Sequence, residues 1–151
     1  MPIITDRARF IIPLTLIWVF AFWRAGKRGR IIAALTLVVI AAGDQISAHV
    51  LKPIFLRTRP PYALEHVRLL VDTTRSFSFP SAHASNAFAV ASFVSSFYRR
   101  TKVALYIVAV LLAYSRVYVG VHYPSDILGG AALGLALGLC AAVLTKRYLQ
   151  T

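Results

Sequence analysis

Two long apolar runs, Ile31–Leu51 and Ile127–Thr145, limit what this chain can fold into. Each holds about 20 residues, and at about 1.5 Å of helix rise per residue that matches the ~30 Å hydrocarbon core of a bilayer. Three further apolar stretches, Phe10–Trp23, Pro80–Tyr98 and Val103–Val119, alternate with short basic loops. With 58% hydrophobic residues and a mean hydropathy of +0.69, the chain lies well outside the range of soluble domains. The expected class is all-α, an integral membrane helical bundle of about five transmembrane helices plus a short interfacial helix. Its 151 residues suffice for one membrane-embedded domain and not for two.

Charge sharpens the reading. The formal net charge of +12, from 17 Lys and Arg against 5 Asp and Glu, would suggest nucleic acid in a soluble protein. Here the cations sit at the ends of apolar runs, which points to membrane topology and an anionic ligand, with no nucleic-acid partner. Arg24, Lys27, Arg28 and Arg30, then Arg99, Arg100 and Lys102, then Lys146 and Arg147 fall on one face of a five-span chain. The positive-inside rule makes that face cytoplasmic and places Lys52–Pro80 and Val119–Asp126 together on the opposite one. Phe10–Trp23 covers only about 21 Å and lacks a cleavage site, so it reads as a retained helix that must extend, snorkel its arginines or sit in thinned bilayer. Lys52-Pro53 is expected to stop the second helix. Leu64, Val67 and Val71 recur at helical spacing and suggest the interfacial helix. The single cysteine, Cys140, is expected to be a small buried packing residue. Gly130, Gly134 and Gly138 predict close helix contact. Asp44 suits either an interhelical hydrogen bond or support for the site above it.

The chemistry concentrates in Ser115–Asp126, S-R-V-Y-V-G-V-H-Y-P-S-D. Lys52, Arg59 and Arg116 end two apolar segments, and two helices begin at Ser81 and at Ser125-Asp126. Helix N-termini and cations of this kind suit a phosphoryl group. A neutral imidazole at His122 can attack phosphorus, with Asp126 near enough in sequence to fix its tautomer. A protonated His83 can supply the leaving group's proton and later deprotonate water. Two histidines and a carboxylate could also hold a metal. Three cations converging on the same space oppose a divalent ion and complement a phosphate, so the site is read as metal-free, without a cofactor. His49 and His66 are read as structural or surface residues.

The spacing of these residues resembles the type 2 phosphatidic acid phosphatase superfamily, the histidine lipid-phosphate phosphatases and their vanadium haloperoxidase relatives. The family's first pattern is met by Lys52-PIFLRT-Arg59-Pro60, its second by Pro80-Ser81-Ala82-His83, and its third by Ser115-Arg116-VYVGV-His122-YPS-Asp126. Ala82 replaces the glycine of the second pattern. The resemblance implies His122 as nucleophile, Asp126 as its partner and His83 as acid then base. It implies phosphate binding by Lys52, Arg59, Ser81, Ala82 and Arg116, and no metal. The implied substrate is a lipid phosphomonoester or diphosphate in the bilayer, such as undecaprenyl diphosphate, lipid A 1-phosphate or phosphatidylglycerol phosphate. The implied location is the bacterial cytoplasmic membrane, with the active site outside. The competing class is a lipid-phosphate binding or flipping protein without catalysis.

Overall fold

Small residues line the helix interfaces of this protein and large apolar ones line its outside, the arrangement that lipid solvent favours. In the computed structural model the described residues are 15, 16, 18–20, 22–65, 67, 69, 70 and 75–150. The chain falls into two compact units, Met1–Leu35 and Thr36–Thr151, and the site described below belongs to the second. Half of the expected Phe10–Trp23 span lies outside the described residues, as do Arg68, Val71 and His66. The helices are α1 (Lys27–Gln45), α2 (Pro60–Ala63), α3 (Ala82–Ser95), α4 (Lys102–Tyr118) and α5 (Pro124–Gln150). Among the described residues three stretches are long and apolar enough to cross a membrane: Lys27–Ala63, Arg99–Tyr118 and Pro124–Gln150. Helix α3, at 14 residues, is shorter, and four of its alanines and phenylalanines are buried together with Ser85, Ser92 and Ser95.

The most extensive packing is α3 against α5, followed by α3 against α4. Lipid supplies no hydrophobic drive between helices, so close approach and dispersion must hold them. The stripe Gly130, Gly134, Gly138 on α5 permits that approach. A Cβ at these positions would overlap the carbonyl oxygens of Ser81, Ser85 and Ala89 respectively. The expected close contact is therefore present, and its partner is α3. On the outward faces Val103, Ile107, Val110 and Leu111 of α4, and Leu128, Leu139 and Leu144 of α5, are exposed, as lipid-facing residues should be. Cys140 departs from expectation and is exposed. It lies two residues past Gly138, about 200° around the helix from the buried stripe.

Lys52-Pro53 does not stop the second helix. Ile46–Leu51 widens into a π-helical turn and Lys52–Phe55 adds one more α turn. A proline has no N–H and its ring collides with the carbonyl four residues back. The wider turn absorbs this, with the Lys52 N–H bonded to Ser47 O, five residues back. Leu56, at φ 47°, then ends the helix in the left-handed region. The interfacial helix is also displaced. The single turn α2 begins at the Pro60-Pro61 pair, where a proline at the first helical position costs no hydrogen bond. Leu64 is already extended, and Glu65, Val67, Leu69 and Leu70 lie outside any helix. Tertiary bonds, including Leu70 N–H to Val119 O, compete with the local helical pattern there. Asp44 accepts a 2.8 Å hydrogen bond from Asn86 of α3, so the interhelical alternative holds.

Replacing Gly134 by Val should separate α3 from α5 and destabilise the protein by about 1–3 kcal/mol. Thermal unfolding in detergent would measure this, with an unchanged midpoint counting against the packing assignment.

Candidate active site

The turn between α4 and α5 is built by two local rules. Gly120 has φ 80°, and its N–H bonds to Val117 O at 2.9 Å while the Val121 N–H bonds to Arg116 O at 3.2 Å. This pair of bonds is a Schellman motif, which needs a residue in the left-handed region and so favours glycine. It ends α4 one residue after Tyr118 and turns the chain so that His122 is 5% exposed. Helix α5 then starts with Pro124 as its first residue, and Asp126, two positions on, reaches back to accept from the Tyr123 N–H at 2.9 Å. That is the back-bonding half of a capping box. V-G-V-H-Y-P-S-D thus encodes a helix stop, a histidine and a helix start in direct succession.

Asp126 is fully buried and its oxygens divide their partners. Oδ2 faces His122 Nδ1 at 3.3 Å and accepts from the Tyr123 N–H. Oδ1 accepts from Arg57 Nη1 at 2.8 Å. With Nδ1–H donating to the carboxylate, His122 Nε2 carries its lone pair toward Arg59 Nη1, 3.3 Å away. Arg59 is 8% exposed, and its partners among the described residues are neutral acceptors: Ser76 O at 2.8 Å, Ser76 Oγ at 3.0 Å, Val121 O at 3.2 Å and the imidazole. A buried guanidinium with such direct partners is electrostatically suited to an arriving anion. Burial lowers the His122 pKa below its ordinary 6.5. The bond to Asp126 opposes this, and the positive charges of Arg59 and Lys52 reinforce it. The imidazole is therefore neutral at neutral pH.

The start of α3 joins the same cluster. The Ser81 N–H donates to Asp126 O at 3.0 Å, tying the two helix N-termini together. Ser81 sits at the N-cap yet makes no capping bond, and its Oγ, fully buried, has no hydrogen-bond partner among the described residues. A buried hydroxyl so placed beside helix-terminal N–H groups matches an anion site. Ala82 and His83 are the first two residues of α3, with His83 exposed. Lys52 lies within electrostatic range of Arg59, Asp44, Asp126 and His122. Arg116 occupies the last turn of α4, half-buried, with Nε on Ser115 Oγ at 3.2 Å. Beside Arg59 is a cavity of about 370 Å³ lined by Thr58, Tyr62, Arg75, Ser76 and Phe77. His49 is exposed, in the π-helical turn just before Lys52. Among the described residues no three of His, Cys, Asp and Glu gather as a metal-binding group.

Sequence reasoning counted Arg57 only as one basic loop residue. In the structure its Nη1 also donates to Ser125 Oγ at 2.6 Å, and its guanidinium lies 4.0 Å from the Tyr123 ring centroid. The signal was its position between Lys52 and Arg59, but the pairing with Asp126 spans 69 residues and has no local signature.

The sequence matches the PAP2 superfamily over residues 33–149. It is 29% identical over 134 residues to a lipid A 4'-phosphatase of Porphyromonas gingivalis, covering 85% of this chain and 57% of that protein. The crystal structure of Aquifex aeolicus LpxE superposes with a TM-score of 0.72 at 29% identity, covering 85% of this chain and 74% of that one. A transmembrane PAP2-type phosphatidylglycerolphosphate phosphatase from Bacillus subtilis gives a TM-score of 0.62 at 35% identity, covering 93% and 69%. The chain spans about half the length of the first protein relatives it matches.

The sequence expectation makes His122 the nucleophile, which must be neutral to attack, so on that reading its protonation sets the acid limb of kcat/KM. Because its pKa is lowered, that limb should lie below pH 6.5 and activity should persist under mildly acidic conditions. A pH–rate profile checks this, and an acid limb above 6.5 would contradict the electrostatics described.

Proposed function

Because this chain belongs to the PAP2 superfamily, we propose that it hydrolyses a lipid phosphomonoester or diphosphate through a phosphohistidine formed on His122. The observation that carries the reading is the orientation of His122, with Nδ1 on a buried carboxylate and Nε2 facing a buried guanidinium. Nε2 attacks phosphorus along the side where Arg59 waits. Arg59, Lys52 and Arg116 offset the charge that builds on the phosphoryl oxygens, and the Ser81 hydroxyl with the Ala82 and His83 amides donates to them. As the N–P bond forms, the P–O bond to the lipid or phosphoryl leaving group breaks. His83, protonated and at the exposed mouth of the site, gives its proton to the departing oxygen. Neutral His83 then takes a proton from water, whose oxygen attacks phosphorus. The N–P bond breaks, inorganic phosphate leaves and His122 returns neutral. Asp126 stabilises the positive charge His122 carries in the intermediate. Every step runs on side chains and water, with no metal.

The site is formed by the C-terminal ends of the Lys27–Phe55 helix and α4 and the N-terminal ends of α3 and α5. The basic residues Arg99, Arg100, Lys102, Lys146 and Arg147 occupy the other ends, where Lys146 lies over Phe97 at 5.7 Å. By the positive-inside rule this supports an active site on the outer face of the bacterial cytoplasmic membrane. The relatives named above act, by their names, on lipid A and phosphatidylglycerolphosphate. The pocket beside Arg59 contributes Arg75 and the Tyr62 and Thr58 hydroxyls, with no carboxylate among its described lining residues, so it suits a second anionic group of the substrate.

Phosphate release by the purified protein, measured in detergent with chelator present across lipid mono- and diphosphates, tests the reading. Wild type should turn over and His122→Ala should lose at least about 10³-fold. Undiminished release by His122→Ala would refute the phosphohistidine route. Arg75→Gln should raise KM for a diphosphate several-fold more than for a monophosphate; equal effects on both would remove the pocket from substrate selection.

A further inference from the structure

Arg57 makes its contacts with the orienting carboxylate, and no described contact joins it to the nucleophile. Its Nη1 serves both Asp126 Oδ1 and Ser125 Oγ, at 2.8 and 2.6 Å. Its guanidinium rests on the Tyr123 ring, with the ring centroid 4.0 Å away. Its backbone is pinned as well, since Arg57 O accepts the Ser78 N–H at 2.8 Å and the Ser78 hydroxyl at 3.2 Å. One arginine therefore grips three consecutive residues, Tyr123, Ser125 and Asp126, at the start of α5. Among the described residues it is the donor that occupies Oδ1, leaving Oδ2 for His122 and the Tyr123 N–H.

We propose that Arg57 is a positioning residue that sets the ionisation of His122 through Asp126, a role that rests on His122 being the nucleophile. The physical requirement is a compromise. A bare buried carboxylate would hold the imidazolium too strongly and block attack by keeping the proton on Nε2. No carboxylate would leave the tautomer and ring orientation free. Arg57 takes up part of the charge of Asp126 while fixing which oxygen faces the histidine. Among the described residues the charged groups facing His122 are Asp126, Arg59 and Lys52; those facing Asp126 are His122, Arg57, Arg59 and Lys52. Arg59 and Lys52 are also the cations placed to meet the substrate. Arg57, turned to the other side of the carboxylate, can be changed with the least disturbance of phosphate binding. Its side chain is 37% exposed, so replacing it should leave the fold intact.

The sign follows from the pairing. Removing the cation leaves the carboxylate free to stabilise the imidazolium, so His122 keeps its proton to higher pH. In Arg57→Gln the acid limb of the pH–rate profile should move up by about half to one pH unit, less than the 1–3 units of a direct carboxylate–arginine pair. kcat at neutral pH should fall, with KM within about two-fold of wild type because phosphate contacts remain. Arg57→Lys, which retains a cation within reach of Oδ1, should return the limb to the wild-type position. Tyr123→Leu, which removes the surface Arg57 rests on, should move the limb in the same direction by less. An unmoved limb with activity lowered equally at every pH would make Arg57 a structural brace and overturn the proposal. So would a limb displaced to lower pH, or a KM rise without a kcat effect. If Arg57→Gln does not fold, the Tyr123→Leu profile decides by the same criteria. Wild-type protein that releases no phosphate at any pH, or His122→Ala that releases it undiminished, would instead defeat the underlying functional reading and this inference with it.

Discussion

The site depends on a fully buried carboxylate that must be satisfied from several directions at once. An ionised Asp126 removed from water would cost several kcal/mol if unpaired. It is held by the Tyr123 amide from its own helix start, by His122 from the preceding turn, and by Arg57 from the end of the second helical stretch. Its backbone oxygen accepts from Ser81 at the start of α3. Meeting the demands of this one residue brings together three chain segments that are far apart in sequence. The candidate site is therefore coupled to the fold, because the groups that satisfy Asp126 are also those that orient and surround His122.

The helix packing exists in a form that makes this possible. The Ser81 N–H can reach Asp126 O because Gly130, one turn further along α5, presents no side chain to Ser81 O. The same stripe continues through Gly134 and Gly138, so the two helices stay in contact along their length. In lipid, where apolar side chains gain nothing by leaving their solvent, closeness of small residues replaces bulk burial as the source of cohesion. The π-helical turn at Ile46–Leu51 serves the other side of the site. By accommodating Pro53 it carries the helix one turn further and sets Lys52 close enough to influence His122.

Charge is distributed with a similar economy. Arg57 is matched to the carboxylate, whereas the acceptors that Arg59 meets among the described residues are neutral and include the Nε2 side of His122. Two arginines separated by one residue thus take different electrostatic assignments. The Leu56–Arg59 segment that carries them is not helical.

The apolar runs and terminal cations made a helical membrane protein legible, because lipid leaves few solutions for such segments. The motif stretches also contain the two direct partners of His122, Arg59 and Asp126, and the helix stop and start around it are local physics. Cys140 was misread because an apolar run does not say which of its residues face lipid, and the helix expected from Leu64 is absent at the described residues there because tertiary bonds compete with it. The turn at Pro53 was missed because a wider helical register was available to absorb the proline. Arg57 was overlooked because its partner lies 69 residues away. Sequence by itself determined the class of fold and the local turns that place His122 and Asp126. The tertiary structure decided that Arg57 pairs with Asp126 while Arg59 faces His122, because only packing of distant segments sets the distances on which electrostatics depends.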